Sequence, residues 1–144
     1  MQKNWYRLDT AALIFPAIAR RDWSNGFRVS ATLSEEIDIG LMEQAAADLK
    51  TRFPTCYVSL QKGIFWYYLE ESDQKIRVRE DFAYPLTFMS SRELRKSCLR
   101  LLVFRNRIAA EFFHSVTDGR GGTVYLVNLI ARYLTLKYGL EILS

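Results

Sequence analysis

The segment FFHSVTDGRGG, at residues 112–122, decides how the rest of the sequence is interpreted. It contains His114, the only histidine among the 144 residues. Residues 107–114 alternate between apolar and other side chains as a β-strand does, and an apolar pattern with helical spacing occupies residues 123–138. The segment therefore predicts a histidine at the end of a strand, followed by a glycine-rich turn and a long helix.

The alternation along this strand assigns its side chains to two faces, because successive side chains of a strand point in opposite directions. One face carries Ile108, Ala110, Phe112 and His114, and the other carries Ala109, Glu111, Phe113 and Ser115. Imidazole is the side chain best matched to accepting and returning a proton near neutral pH. On the residues alone, His114 is either a general base or a histidine whose hydrogen bonds are satisfied at a strand end.

The residues after the histidine leave two interpretations of the glycines open. Backbone amides within residues 119–122 precede the helix and could bind an anion, although the spacing of known phosphate-binding motifs is absent. Tight-turn geometry accounts for the glycines better. Asp118 is placed to brace the loop by charge-assisted hydrogen bonds. With one histidine and no cysteine cluster, the sequence predicts no metal site.

The remaining sequence predicts further strands and helices on both sides of this segment. Asp9 is a candidate cap for a short helix at residues 10–15, Asp38 begins a helix at 38–53, and Gly139 ends the last helix. The predicted strands cover 27–33, 56–60, 64–69, 76–80 and 99–104, with turns at 61–63 and 105–106. Residues 65–68 are either a stacking platform for bases or, as favoured, a half-buried strand.

The composition indicates which class of protein the chain belongs to. A hydrophobic fraction of 49% with 25% charged residues is typical of a globular chain, and 144 residues predict a single domain over residues 1–144. No apolar run reaches the roughly 20 residues of a membrane span. Cys56 and Cys98 lack metal-type spacing and are predicted to be buried free thiols. These features favour a cytoplasmic location.

The basic charge balance raises the possibility of a nucleic-acid partner. The net charge is +4, and arginines and a lysine cluster between residues 92 and 107. Acidic residues are interspersed, however, and no recognition helix or RNA-binding signature is present. A solvated basic face is the favoured interpretation, so no nucleic-acid partner is predicted.

Residues 114–119, His-Ser-Val-Thr-Asp-Gly, resemble the HxxxDG core of the HHxxxDG motif. That motif marks the superfamily of chloramphenicol acetyltransferase, condensation domains of peptide synthetases, and alcohol acyltransferases. The segment 6–16, the helix at 38–53 and the aromatic hairpin also resemble the start of bacterial alcohol acetyltransferase-like proteins. The resemblance implies an α+β fold, a two-layer sandwich with a mixed sheet, similar to one half of a CoA-dependent acyltransferase.

The resemblance also implies roles for individual residues. His114 matches the general base, which deprotonates an alcohol or amine acceptor as it attacks an acyl thioester such as acyl-CoA. Asp118 matches a structural aspartate paired with an arginine, for which Arg7, Arg20 and Arg21 are candidates, and Gly119 matches the motif glycine. Phe113 replaces the first histidine of the motif. No permanently bound cofactor is implied.

The resemblance extends over the N-terminal half of such proteins only. We therefore expect the C-terminal half to be absent from this chain, catalysis to be incomplete without it, and the uncovered apolar surface to favour either that half or a second copy as partner. The competing hypothesis is a non-catalytic binding or assembly module that retains the half-fold.

Overall fold

The computed structural model of the chain describes residues 5–7, 26–63, 67–72, 75–81, 91–113 and 119–139. The strands are β1 (Trp5–Arg7), β2 (Gly26–Thr32), β3 (Val58–Lys62), β4 (Tyr67–Glu71), β5 (Val78–Glu80), β6 (Leu99–Phe104) and β7 (Arg107–Phe113). The helices are α1 (Ile39–Asp48), α2 (Ser91–Leu94) and α3 (Gly119–Tyr138), with a 3₁₀ turn at Pro54–Cys56.

The described strands form two sheets. One has four strands in the order β2-β7-β6-β5, in which β5 and β6 run parallel and the other neighbours antiparallel. The other has three antiparallel strands in the order β1-β4-β3. The Cys98 amide, just before β6, donates a hydrogen bond of 2.9 Å to the Val58 carbonyl of β3 and connects the two sheets. The predicted α+β fold with a mixed sheet is confirmed.

Helices α1 and α3 pack on one face of the four-stranded sheet, and this contact contains the main core. Ile108, Ala110 and Phe112 of β7 are fully buried in the same cluster as Leu129 and Tyr133 of α3. Period-two alternation had placed those three β7 residues on one face, and the structure confirms that assignment. Cys56 and Cys98 are buried free thiols, as predicted.

Helix α1 begins where the sequence predicts and ends earlier. Asp38 caps it, because its Oδ1 accepts a hydrogen bond of 3.1 Å from the Leu41 amide. The helix ends at Asp48, whereas the prediction extended it to residue 53. Beyond Leu49 the chain turns, and the Phe53 ring packs perpendicular to the Tyr125 ring of α3 with centroids 5.5 Å apart. Packing against α3 thus overrides the helical spacing.

The first hairpin is longer than its turn signal suggested. Gln61 and Lys62, predicted in a three-residue turn, belong to β3, and Lys62 lies opposite Tyr67. Cys56, predicted in the strand, lies in the 3₁₀ turn. The register places Leu60 opposite Leu69, and both are buried, so burial of this pair fixes the alignment. Residues 64–66, also predicted as strand, lie outside the described residues.

The second hairpin agrees closely with the prediction. Strands β6 and β7 are joined at Arg105 and Asn106, and Arg105 adopts a positive φ of 56°. Gly139 ends α3 with a φ of 66°, the left-handed conformation that glycine adopts at low cost. Strand β5 is shorter than the predicted 76–80. The helix predicted at 10–15 lies outside the described residues, and β1 was not predicted.

Helix α3 begins four residues earlier than the predicted 123. The glycines within residues 119–122 are therefore part of its first turn, and the tight-turn prediction for them is wrong. At Gly122 an added Cβ would lie 2.7 Å from Phe27 Cε2 and 3.1 Å from Phe112 Cε2. Glycine at this position lets the helix approach the sheet, which is the physical reason for it.

Candidate functional site

The candidate site lies between the end of β7 and the start of α3. Because β7 ends at Phe113 and α3 begins at Gly119, residues 114–118 connect the two elements. His114 and Asp118 belong to this connection, which lies outside the described residues. Arg20, Arg21 and the side chain of Arg7 also lie outside the described part of the chain. The roles given to them remain predictions. Gly119 is the exposed first residue of α3.

Backbone pairing holds the end of β7 in place. The Phe113 amide donates a hydrogen bond of 3.0 Å to the Cys98 carbonyl, and Phe113 lies opposite Gly26 of β2. A side chain at position 26 would collide with the Phe112 carbonyl oxygen, so only glycine fits there. The backbone at the end of β7 is therefore held in place by pairing on both of its sides.

An aromatic cluster fixes the start of α3 against this strand. The Phe112 ring stacks on Phe27 with centroids 5.2 Å apart, and it lies perpendicular to the Tyr125 ring with centroids 5.7 Å apart. Gly122 packs against both phenylalanines. The two elements on either side of residues 114–118 are thus held by direct contacts.

Two buried tyrosine hydroxyls extend this support to α1. The Tyr57 hydroxyl donates to the Ala46 carbonyl of α1 at 2.5 Å, so the 2.8 Å contact between Tyr57 and Tyr125 is a bond donated by Tyr125. Burial, more than any neighbour, raises the pKa of both hydroxyls. Both are therefore protonated at neutral pH and act as structural links between helices, not as bases.

The opposite face of β7 carries a group of ion pairs that we call the charged cluster, formed by Arg28, Asp81, Arg100 and Glu111. Glu111 is only 1% exposed. Its carboxylate lies 3.3 Å from Arg28 Nη1 of β2 and 3.2 Å from Arg100 Nε of β6. The Arg100 contact has ion-pair distance without the alignment of a hydrogen bond. Arg28 also binds Asp81.

Two further side chains form ion pairs with members of the charged cluster. Arg107 pairs with Asp81 at 3.4 Å, and Glu93 of α2 lies 3.9 Å from Arg100. Burial by itself would lower the pKa of Arg28, but the hydrogen bond and charge of Asp81, together with Glu111, outweigh it and raise the pKa. Guanidinium groups do not exchange protons near neutral pH. The cluster therefore joins β2, β6 and β7 through ion pairs, and its arginines do not exchange protons near neutral pH.

Sequence reasoning did not find the charged cluster. The available signal was Glu111, a carboxylate in an otherwise apolar row of β7. Its partner Arg28 lies 83 residues away along the chain, so spacing does not reveal the pair. Two arginines of the predicted basic face belong to ion pairs, Arg100 with Glu111 and Arg107 with Asp81. Arg105 and Arg107 also lie over the Phe104 ring, at 5.4 and 5.8 Å from its centroid.

Among the described residues, no three histidine, cysteine, aspartate or glutamate side chains lie close enough to hold a metal ion. None of the helices in the part of the chain that the structure describes has both the length and the apolar character needed to cross a membrane.

Comparison with known structures relates the fold to condensation-type domains. The starter condensation domain of rhizomide synthetase, in an R148A mutant bound to C8-CoA, is 12% identical with a TM-score of 0.72; the alignment covers 98% of this chain and 38% of that one. The epimerization domain from the third module of tyrocidine synthetase B is 13% identical with a TM-score of 0.73, covering 100% and 38%. Polyketide synthase associated protein 5 from Mycobacterium tuberculosis is 18% identical with a TM-score of 0.65, covering 99% and 35%.

Sequence comparison adds nothing to this relationship. No protein-family model matches the chain, and no curated protein matches it significantly. This chain spans less than two fifths of each of the three structures, and identities of this size establish the fold alone. The chain therefore has the fold of one part of a condensation-type domain, with residues 114–118 between its last described strand and its longest helix.

Proposed function

We propose that this chain is the base-bearing part of an acyl-transferring domain, in which His114 takes a proton from an alcohol or amine that attacks an acyl-CoA thioester. As that bond forms, the tetrahedral intermediate expels the CoA thiolate, and the proton held by the imidazole goes to the leaving sulfur. The product is an ester or amide together with free CoA.

The observation that carries this proposal is the fold match over nearly the whole chain, which includes a domain bound to C8-CoA. The geometry on either side of the histidine supports it. Phe113 is anchored by backbone pairing, and the aromatic cluster anchors α3 at Gly122 and Tyr125. A catalytic group needs such a rigid mount. The charged cluster strengthens the same strand from its other face.

Because this chain spans 38% of the rhizomide synthetase domain, we infer that catalysis requires a second part that completes the substrate enclosure. That part is either the C-terminal half of a longer protein or a second copy of the chain. We take Asp118 to brace the histidine loop and the location to be cytoplasmic. We also propose that the chain is related to alcohol acetyltransferase-like proteins.

The test is an assay of thioester consumption. Purified chain is mixed with acetyl-CoA or octanoyl-CoA and a panel of small alcohols and amines, and released CoA is detected with a thiol reagent. Cys56 and Cys98 are buried, which keeps the background from the protein low. We expect His114→Ala to lower the rate by about 10²–10⁴-fold, the usual contribution of a general base.

Two controls make the assay decisive. Ser115→Ala changes the neighbouring residue and should retain most of the rate, while unfolding curves of both variants exclude a loss of fold. Equal turnover by wild type and His114→Ala would remove the histidine from the mechanism.

The second candidate is a non-catalytic assembly module, favoured by the short span of the chain relative to the matched structures. It predicts no turnover by the chain alone or after addition of any remaining part of its reading frame. Turnover that appears only after that addition supports the acyl-transfer proposal.

A further inference from the structure

Helix α3 carries a row of five side chains, three of them large, apolar and exposed, and we call it the α3 stripe. It consists of Val124, Val127, Ala131, Leu134 and Tyr138. Val124, Val127 and Tyr138 are 48%, 56% and 46% exposed, and Ala131 and Leu134 are half-buried. Their intervals of three and four residues place them on one line along the helix, with the spacing of a coiled-coil seam.

Val124, Val127 and Tyr138 lie outside the core cluster, whereas Leu134 packs at its edge. The helix buries Tyr125, Leu129 and Tyr133 against the sheet and α1, on a different side from Val127. Large apolar side chains that are about half exposed occupy three of the five seam positions, and such a surface marks an interaction site. Thr123, Asn128 and Thr135 flank the stripe without charge.

We propose that the α3 stripe is the surface through which two copies of this chain pair, with their α3 helices antiparallel. The spacing is symmetric about position 129. In a two-fold antiparallel pair, residues equidistant from that position face each other, so Val127 faces Ala131 and Val124 faces Leu134. A small residue therefore opposes a larger one at each central position, which allows the helices to approach closely.

The charges at the ends of the helix favour this orientation. Arg120, which is exposed, continues the stripe in the first turn of α3. At the other end, the Tyr138 hydroxyl donates to Glu35 at 2.8 Å, and the Glu35 side chain is 62% exposed. Lys137 pairs with Glu35 at 3.6 Å, and the exposed Glu36 leaves this end negative.

Antiparallel pairing places Arg120 of each copy at the acidic end of the other. The helix dipoles add to this preference, because the positive N-terminal end then meets the negative C-terminal end of the partner helix. A parallel pair would place Arg120 against Arg120 and the acidic ends together. Since a single helix pair is smaller than a standard interface, we expect a reversible dimer at micromolar concentration.

Sedimentation velocity over a range of concentrations tests the proposal, with a monomer mass of 16.8 kDa as reference. The wild-type chain should shift toward twice that mass as concentration rises. Val127→Glu should remain monomeric, because it introduces a charge at the centre of the stripe. Ala47→Glu adds the same charge at an exposed position of α1 and should dimerise like wild type.

Cysteine cross-linking tests the orientation independently. Val127→Cys and Ala131→Cys chains, mixed and oxidised, should form a disulfide between the two variants, whereas each alone should cross-link poorly. In the antiparallel pair, two copies of position 127 are offset by about 6 Å along the helix, beyond easy disulfide geometry. Arg120→Glu should weaken the dimer, and Arg120→Glu with Glu35→Arg should restore it.

Several results would overturn the proposal. These are a wild-type monomer at every concentration, a stripe that is protected only when another part of a longer protein is added, a Val127→Glu dimer, or preferential self-cross-linking of Val127→Cys. The proposal does not depend on the chemistry of His114, so activity and dimerisation can fail separately.

Discussion

The two faces of strand β7 are equally buried, but one is covered by apolar side chains and the other contains ion pairs. On the face toward α3, Ile108, Ala110 and Phe112 are fully buried among apolar and aromatic side chains. On the other face, Glu111 is buried between Arg28 and Arg100. An apolar face tolerates substitutions that keep its volume, whereas a buried ion pair is disrupted by loss of either charge. Burial alone therefore does not predict how a face of the strand responds to mutation.

The largest expected effect is the loss of the shared carboxylate. Glu111→Ala removes the group to which Arg28 and Arg100 are paired, and both arginine side chains are about nine-tenths buried. We expect the free energy of unfolding to fall by about 3–5 kcal/mol, the usual cost of breaking a buried pair. Urea unfolding measures it, with Glu80→Ala on the exposed side of β5 as the control. A loss no larger than that of the control would show that the charged cluster contributes little.

The next effect concerns packing on the apolar face. Gly122→Ala places a methyl group against the Phe27 and Phe112 rings, so we expect a loss of about 1–3 kcal/mol from overpacking. Gly119→Ala is the matched control, since an added Cβ there meets nothing within 4 Å. It should leave stability unchanged or raise it by up to about 1 kcal/mol, because alanine favours the helix. Equal effects at both positions would contradict close packing at Gly122.

The pH dependence of stability reports on the apolar core. Burial raises the pKa of the Cys56 thiol from 9.0 to about 11, and this thiol belongs to the apolar core. Above pH 9.0 the unfolded thiol loses its proton first, so the unfolded state binds fewer protons and stability falls as pH rises. The contribution is fully present below pH 9.0 and is lost as pH rises through about 11.

Cys56→Ala removes this contribution. Between pH 9.0 and 11, the unfolding free energy of the wild type should fall more steeply than that of the variant, by up to about 1.4 kcal/mol per pH unit. Urea unfolding under reducing conditions at several pH values measures the difference. Parallel curves would show that the thiol does not titrate differently in the two states.

The smallest effect is expected at an exposed ion pair. Arg132 of α3 lies 2.8 Å from Asp48 of α1, and the two side chains are 42% and 26% exposed. Asp48→Asn should cost only about 0.2–1 kcal/mol, because solvent screens surface pairs. Thermal unfolding at low and high salt checks it, and the cost should shrink with added salt. A cost as large as that of Glu111→Ala would remove the distinction between buried and surface charge.

The sequence by itself determined the alternation of β7, the β6–β7 hairpin, the cap of α1 and the glycine that ends α3. Each depends on neighbours within a few residues, so local geometry and capping chemistry are sufficient to predict it. It also identified His114 and Asp118 as candidates, through a short motif and a resemblance. Their placement remains a prediction.

Only the tertiary structure decided the features that join distant parts of the chain. The early end of α1 follows from Phe53 packing on Tyr125, and the close approach of α3 to the sheet follows from Gly122 meeting Phe27 and Phe112. The charged cluster joins residues 83 positions apart. Such contacts produce no periodic pattern in the sequence, because they join groups that only folding brings together.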